Sequence, residues 1–379
     1  MKKENNTALR NKLWNYDVLN LTVRVIRDFL GLDSKPNVKY SDRAIICHLI
    51  NACTSLTTVN QVSQSSSNAA TEGTVRYRLR NLNLEEVQRA LNQMLKSKAI
   101  KTLPRRALTF AIDFVLIPFY GEEENEGDTV RSKAKEGTTR FFAYASIYVI
   151  LRNKRYTLAV KYCRKGESVT DVIAFVLNEV EEAGFKVRGL YLDKQFFTVP
   201  VINYLQGMEI PFIIPCVPRG RSGGIRNLFG GKKSYSTQYT MHSKGKEATF
   251  QVNIVVKYSK GKYDRHSVEY FAYAVHGMDI QVKRTYKEYR KRFGIESSHK
   301  LMNTARARTS AKKPVRRLLY VGIGFLLMNI WVYVQWMYLS VKRRGGRAPI
   351  QWAFKTMLRQ VARRIEDEFG FFDYMPISD

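Results

Sequence analysis

The order of secondary-structure signals between residues 107 and 214 constrains this chain more than any single motif. Apolar, strand-like runs cover 107–116, 141–150 and 156–162. A helical pattern at 169–183, a strand at 186–192, a helix at 197–206 and a short strand at 211–214 follow. Three strands ahead of an alternation of helix and strand predict a mixed sheet with helices packed on it, its first and fourth strands side by side.

That is a ribonuclease H-like order, so the expected class is α/β with a ribonuclease H-like mixed sheet core. A Gly- and Lys-rich loop and β-like runs at 248–257 and 269–275 interrupt it and predict an inserted β region at about 217–282. A helix at 286–303 resumes the core. Helical patterns at 42–52, 59–62, 74–82 and 84–97 precede the sheet, and 98–106, with Pro104, reads as a linker. The expected organisation is a helical, helix-turn-helix-like DNA-binding region over 1–97, a catalytic domain over 105–305 and a C-terminal helical region over 306–379.

Lys and Arg number 63 against 33 Asp and Glu, a formal net charge of +30. The basic residues are interleaved with apolar segments instead of forming one amphipathic helix, which favours nucleic acid over an anionic membrane as partner. Leu318 to Val341 carries no formal charge and is long enough to span a bilayer. Its Asn329, Gln335 and Ser340, and the basic sequence on both sides, favour a buried core helix, followed by an amphipathic helix over 351–369. Cys47, Cys53, Cys163 and Cys216 lack the short spacings of a zinc site and read as reduced core thiols. Residues Met1 to Asn20 contain no apolar stretch of signal-peptide length, and a cytoplasmic, nucleoid-associated location is expected.

Asp113 stands inside LTFAIDFVLI, where a charge is costly unless a cation or hydrogen bonds compensate it. Either a metal ligand or a strand-end carboxylate bonded to backbone amides satisfies that requirement. Asp193 follows GLYL and precedes a helix, at the carboxyl end of a strand where open α/β sheets place their sites; helix capping is the plainer role. Adjacent first and fourth strands would bring these two together, and two carboxylates repel unless they share a metal. In YKEYRKRFGIESSHK, at ~100° per residue, Tyr289, Arg292 and Glu296 fall within roughly 60° of one another, while Glu288 lies ~80° from Glu296. A third carboxylate can therefore face the pair, although a solvated basic helix has the same pattern.

Two strand aspartates, a late helical glutamate, a β insertion before it and the spacing Tyr289-x2-Arg292-x3-Glu296 resemble the DDE transposases of bacterial and archaeal insertion sequences. The stretches YRKRFGIESSHKLMNTARARTS and YLDKQF are most similar to archaeal members. The resemblance implies two Mg²⁺ or Mn²⁺ ions held by Asp113, Asp193 and Glu296. It implies cleavage of double-stranded DNA at terminal inverted repeats, strand transfer into target DNA, and a homodimer on DNA. Tyr289 and Arg292 would hold phosphate. The family pattern continues with a Lys seven residues after the Glu, where this chain has Asn303; Lys300, one turn after Glu296, is the substitute contact. Some relatives hold a flipped base with a Trp in the β insertion, yet Trp14, Trp331, Trp336 and Trp352 all lie outside it, leaving Tyr235 or Tyr239 to stack.

Further DNA contacts are expected from Arg76, Arg78 and Arg80 in TVRYRLRNL, and from Arg219, Arg221 and Arg226 in the glycine-rich PRGRSGGIR loop. The acidic run from Glu122 to Asp128 reads as a solvated loop. The competing readings are a metal-dependent nuclease of the same fold that does not join ends, and a transposase-derived DNA-binding protein without catalysis.

Overall fold

The computed structural model describes residues 15–32, 38–151, 154–260, 266–339 and 352–371. Trp14, Ser340, Val341 and Gln351 lie outside them. Five helices come first: α1 (Asn15–Phe29), α2 (Asp42–Thr54), α3 (Val59–Ser65), α4 (Glu72–Arg78) and α5 (Leu84–Thr102). Ser41, Thr58, Thr71 and Asn83 cap the last four by accepting a first-turn backbone N–H, Thr58 in a reciprocal capping box with Gln61. Helix α5 runs through Lys98 to Thr102, so most of the expected linker is helical, and only the approach to Pro104 breaks it.

The strands are β1 (Leu108–Pro118), β2 (Val130–Lys135), β3 (Thr138–Val149) and β4 (Thr157–Cys163). Helix α6 (Val169–Glu182), β5 (Val187–Leu192), α7 (Val199–Gly207) and β6 (Phe212–Pro215) follow. β1 is buried over most of its length, as a central strand covered on both faces must be. It pairs antiparallel with β3, Asp113 opposite Ser146, and parallel with β5, Ile112 opposite Leu192. With β4 on β3 and β6 on β5, the order is β4-β3-β1-β5-β6, and the first and fourth expected strands are neighbours.

The inserted β region extends this same sheet. Strands β7 (Tyr235–Ser243), β8 (Lys246–Lys260) and β9 (His266–His276) pair antiparallel in sequence, and β9 docks on β6, Ile213 opposite Val275. Among the described residues the sheet has nine strands. The sequence pattern did not mark β2 or β7. β2 (VRSKAK) is exposed almost throughout and β7 (YSTQYTMHS) is polar, so neither carries the apolar alternation of a half-buried strand.

After the insertion come α8 (Val282–Tyr289), a 3₁₀ turn (Arg290–Phe293), α9 (Gly294–Asn303), α10 (Pro314–Val334) and α11 (Phe354–Phe369). The segment from Pro314 to Leu339 has the length and composition of a membrane span, yet its apolar window is 89% buried inside the protein. Gly322 lets α10 lie directly on α5, because a β-carbon there would run into Leu91. Residues from both ends of the chain share this core, among them Ile26, Ile46, Leu91, Ile330 and Val361.

The polar interruption in α10 has a structural use. The Asn329 amide donates to the Thr157 carbonyl at 2.7 Å and the Leu95 carbonyl at 3.1 Å, and its oxygen accepts the Thr157 N–H at 3.1 Å. Asn92 accepts the Val160 N–H at 3.0 Å, while Gln88 accepts the Tyr162 N–H at 2.9 Å and donates to the Val160 carbonyl. Side-chain amides from two helices thus close the outer edge of β4, which would otherwise present unpaired backbone groups. All four cysteines are free and buried.

Candidate active site

Asp113 projects from the middle of β1 and is 9% exposed. Its Oδ1 accepts the Phe114 N–H at 2.9 Å, with the Gln195 amide at 3.5 Å. Asp193 is the residue after β5, and since Ile112 faces Leu192, the two aspartates leave their strands side by side. Although Asp193 precedes a 3₁₀ turn (Lys194–Phe196), its carboxylate makes no capping hydrogen bond. It is therefore available to the cleft.

Three tyrosines seat the helical segment that brings Glu296 to this pair. Tyr289 donates to the Leu192 carbonyl at 3.1 Å, Tyr191 donates to Glu288 at 3.0 Å, and Tyr148 donates to the Lys291 carbonyl at 3.1 Å. The helix expected over 286–303 is in fact α8, the 3₁₀ turn and α9. Gly294 opens α9 where a β-carbon would meet the Tyr148 hydroxyl at 2.5 Å. Below Glu296 on α9, His299 pairs through Nε2 with Ser146 Oγ at 2.8 Å.

One guanidinium stands among all three carboxylates. Arg292 Nη1 is 3.0 Å from Asp113 Oδ2, and Nη2 is 3.3 Å from Asp193 Oδ1 and 3.4 Å from Glu296 Oε1. Burial pushes the Asp113 carboxyl up to about 6; the Arg292 charge opposes this and neighbouring Asp193 adds to it. Burial also pushes His299 down to about 3, with Arg292 contributing, so its ring is neutral. No cluster of three His, Cys, Asp or Glu side chains arranged to hold an ion occurs among the described residues, because the guanidinium separates these three. The donor set itself, three carboxylates around a point that already holds a positive charge, fits a hard divalent cation.

Two residues expected to contact DNA lie inside this centre. Tyr289 and Arg292 are 5% and 3% exposed, and both spend their polar atoms inside: Tyr289 on the β5 carbonyl, Arg292 on the carboxylates. Arg78 is likewise turned inward, paired with Asp42 and donating to the Tyr40 carbonyl at 3.1 Å, so of the three arginines only Arg76, on the short α4, and Arg80, just after it, face outward. Arg76 pairs with Glu72, and Arg80 lies 4.0 Å over the Tyr77 ring. Lys300, Arg219, Arg221 and Arg226 are exposed, with Arg226 Nε donating to the Gly220 carbonyl at 2.8 Å.

Glu288, already bonded to Tyr191, also pairs with Lys291 at 2.5 Å and takes no part in the centre. Glu123 in the acidic loop accepts the Gly127 N–H at 2.9 Å and a hydrogen bond from Thr129, closing a turn. Tyr235 donates through its hydroxyl to the Leu228 carbonyl, and Tyr239 packs edge-on against Phe250. Gln195, Tyr148, Ser146 and His299 escaped the sequence reading. Gln195, two residues after Asp193, and His299, on the Glu296 face of α9, carried a local signal; Ser146 and Tyr148 carried none.

The chain thus has a ribonuclease H-like fold, a mixed sheet flanked by helices with its acidic centre where the parallel strands end. Among solved structures it is similar to piggyBac transposase in a synaptic complex with hairpin DNA. The TM-score is 0.51 at 11% sequence identity, covering 95% of this chain and 81% of that one. No protein-family model and no curated protein sequence matches the chain.

Proposed function

We propose that the chain is a DDE-type DNA transposase that cuts double-stranded DNA at the terminal inverted repeats of an insertion sequence and joins the ends to target DNA. The observation that carries this reading is the convergence of Asp113, Asp193 and Glu296 on one guanidinium, from a central strand, a neighbouring strand end and a late helix. The likeness to a transposase bound to DNA and the net charge of +30 support DNA as the substrate.

Asp113, Asp193 and Glu296 would hold Mg²⁺ or Mn²⁺, two ions in all, which when bound supply Lewis acidity to an attacking water and to the departing 3′ oxygen. Asp113, fixed on β1, and Asp193, at the end of β5, form the rigid side of the site. Glu296 approaches from α9 and is the more exposed donor. In cleavage, water oxygen bonds to phosphorus as the bond to the 3′ oxygen breaks, leaving a 3′-hydroxyl and a 5′-phosphate. In joining, that 3′ oxygen bonds to a target phosphorus and displaces another 3′ oxygen. One phosphodiester replaces another, so no high-energy cofactor is consumed. Lys300, Arg219, Arg221 and Arg226 would contact the backbone, and two synapsed ends call for a homodimer.

Labelled duplexes carrying the flanking end sequences, incubated in Mg²⁺ or Mn²⁺ with the native chain or Asp193→Ala, test this. Cleaved and joined products that vanish in the variant are the expected result. Cleavage without joining would reassign the chain as a nuclease, and binding without metal-dependent cleavage would make it a non-catalytic DNA-binding protein.

A further inference from the structure

Arg292 is poorly held for a residue so deeply placed. Its side chain is 3% exposed, yet its Nε has no hydrogen-bond partner among the described residues, and one Nη2 is divided between two carboxylates at 3.3 and 3.4 Å. Well-formed charge-assisted pairs sit at ~2.7 to 2.9 Å, with both prongs of the fork on one carboxylate. No carboxylate here receives the fork. The formal balance of three ionised carboxylates and one guanidinium is −3 + 1 = −2, so the cluster retains an attraction for further positive charge.

A divalent cation bound by all three side chains would compete with Arg292 for the space among them and for one oxygen of each carboxylate. The site is also graded in exposure: the side chains of Asp113, Asp193 and Glu296 are 12%, 30% and 49% accessible. Phe293, whose ring lies 5.9 Å from the guanidinium, is exposed beside them. An arginine rotating about its own side-chain bonds therefore has an exit on the Glu296 side. A phosphate group there would accept both prongs of the fork, which no carboxylate does inside.

We infer that Arg292 is an internal stand-in for the metal: in the free protein it holds the three carboxylates together and excludes divalent cations, and a DNA phosphate draws it out. This rests on the metal-dependent reading of the carboxylates given above. Metal and DNA then bind cooperatively, and the coupling is reciprocal: the factor by which duplex raises metal affinity equals the factor by which metal raises duplex affinity.

The test uses the full chain and Mn²⁺ alone as probe, with free Mn²⁺ followed by electron paramagnetic resonance, with and without a short duplex. The Mn²⁺ held by the duplex itself is subtracted. Without DNA, Arg292→Gln is expected to bind Mn²⁺ about 10-fold more tightly than the native chain, within the usual range of coupling. Asp193→Asn in the Arg292→Gln background removes the gain. Duplex raises Mn²⁺ affinity of the native chain by a similar factor and leaves Arg292→Gln unchanged. Should Arg292→Gln fail to fold in a thermal melt, Arg292→Lys, which keeps the charge but not the planar fork, takes its place: tighter Mn²⁺ binding than the native chain and a smaller response to duplex are expected, and native values of both overturn the inference. Equal Mn²⁺ affinity in the native chain and Arg292→Gln, insensitive to duplex but abolished by Asp193→Asn, overturns the inference and leaves the metal reading standing. No Mn²⁺ binding in any form, with or without duplex, overturns both.

Discussion

Ser146, the residue directly across the ladder from Asp113, is bonded at 2.8 Å to His299, one turn beyond Glu296. The helix that delivers the third carboxylate is thus tied to the strand beside the first. Because the His299 pKa is depressed in the folded state, its contribution is present above the unfolded value near 6.5 and is lost as pH falls toward about 3. Between pH 7 and 5 this lowers stability by ~2 kcal/mol. His299→Gln should therefore lose less stability than the native chain over that interval, by about that amount, in urea melts at the two pH values.

Asp113 works in the opposite direction. Its folded pKa is raised from 3.8 to about 6, so its contribution is full below the unfolded value and is lost as pH rises through about 6. The loss is ~2 kcal/mol between pH 4 and 7. Asp113→Asn, which cannot ionise, should gain on the native chain by that order when metal-free melts at pH 4 and 7 are compared. A pH-independent difference between the two proteins would refute the assignment.

Gly294 has no room for a side chain. Gly294→Ala drives a methyl group into the Tyr148 hydroxyl and displaces the helix bearing Glu296, a strain of ~1 to 3 kcal/mol. Tyr148→Phe removes that oxygen along with its bond to the Lys291 carbonyl. In guanidinium denaturation, the double variant should be more stable than the sum of the two single effects predicts; strict additivity would show that the contact is not the cause.

Asn329→Leu keeps the apolar character of α10 but leaves the Thr157 N–H and carbonyl without the Asn329 amide, and the Leu95 carbonyl with its helical bond alone. The expected loss is on the order of 3 kcal/mol, since each buried unsatisfied group costs ~1 to 3 kcal/mol. Hydrogen exchange at the Thr157 amide should accelerate at the same time. A variant as stable as the native chain would mean that the strand edge is closed by other means.

Asp113 and Asp193 were legible from sequence because a charge within or directly after an apolar strand stands out, and the element order makes their strands neighbours. Glu296 followed from helical spacing even though a 3₁₀ turn interrupts the helix, since Arg292 and Glu296 still fall one turn apart. Spacing names a face and not its partner, so the inward pairing of Arg292 and Tyr289 was invisible. The Ser146–His299 tie joins residues 153 positions apart and leaves no local trace. For the same reason Arg78 read as a surface cation: the Asp42 that claims it lies 36 positions earlier.

The closed edge of β4 has a consequence for synthesis. Among the described residues every strand is complete at His276 and every carboxylate of the centre at Glu296, yet Asn329 reaches Thr157 only once α10 has been made. A nascent chain halted between α9 and α10 owns all the chemistry and lacks the clasp on the sheet that aims it. The ribosome must pass that point before the acidic centre has its full scaffold, so prematurely terminated copies carry the reactive side chains without the frame that holds them.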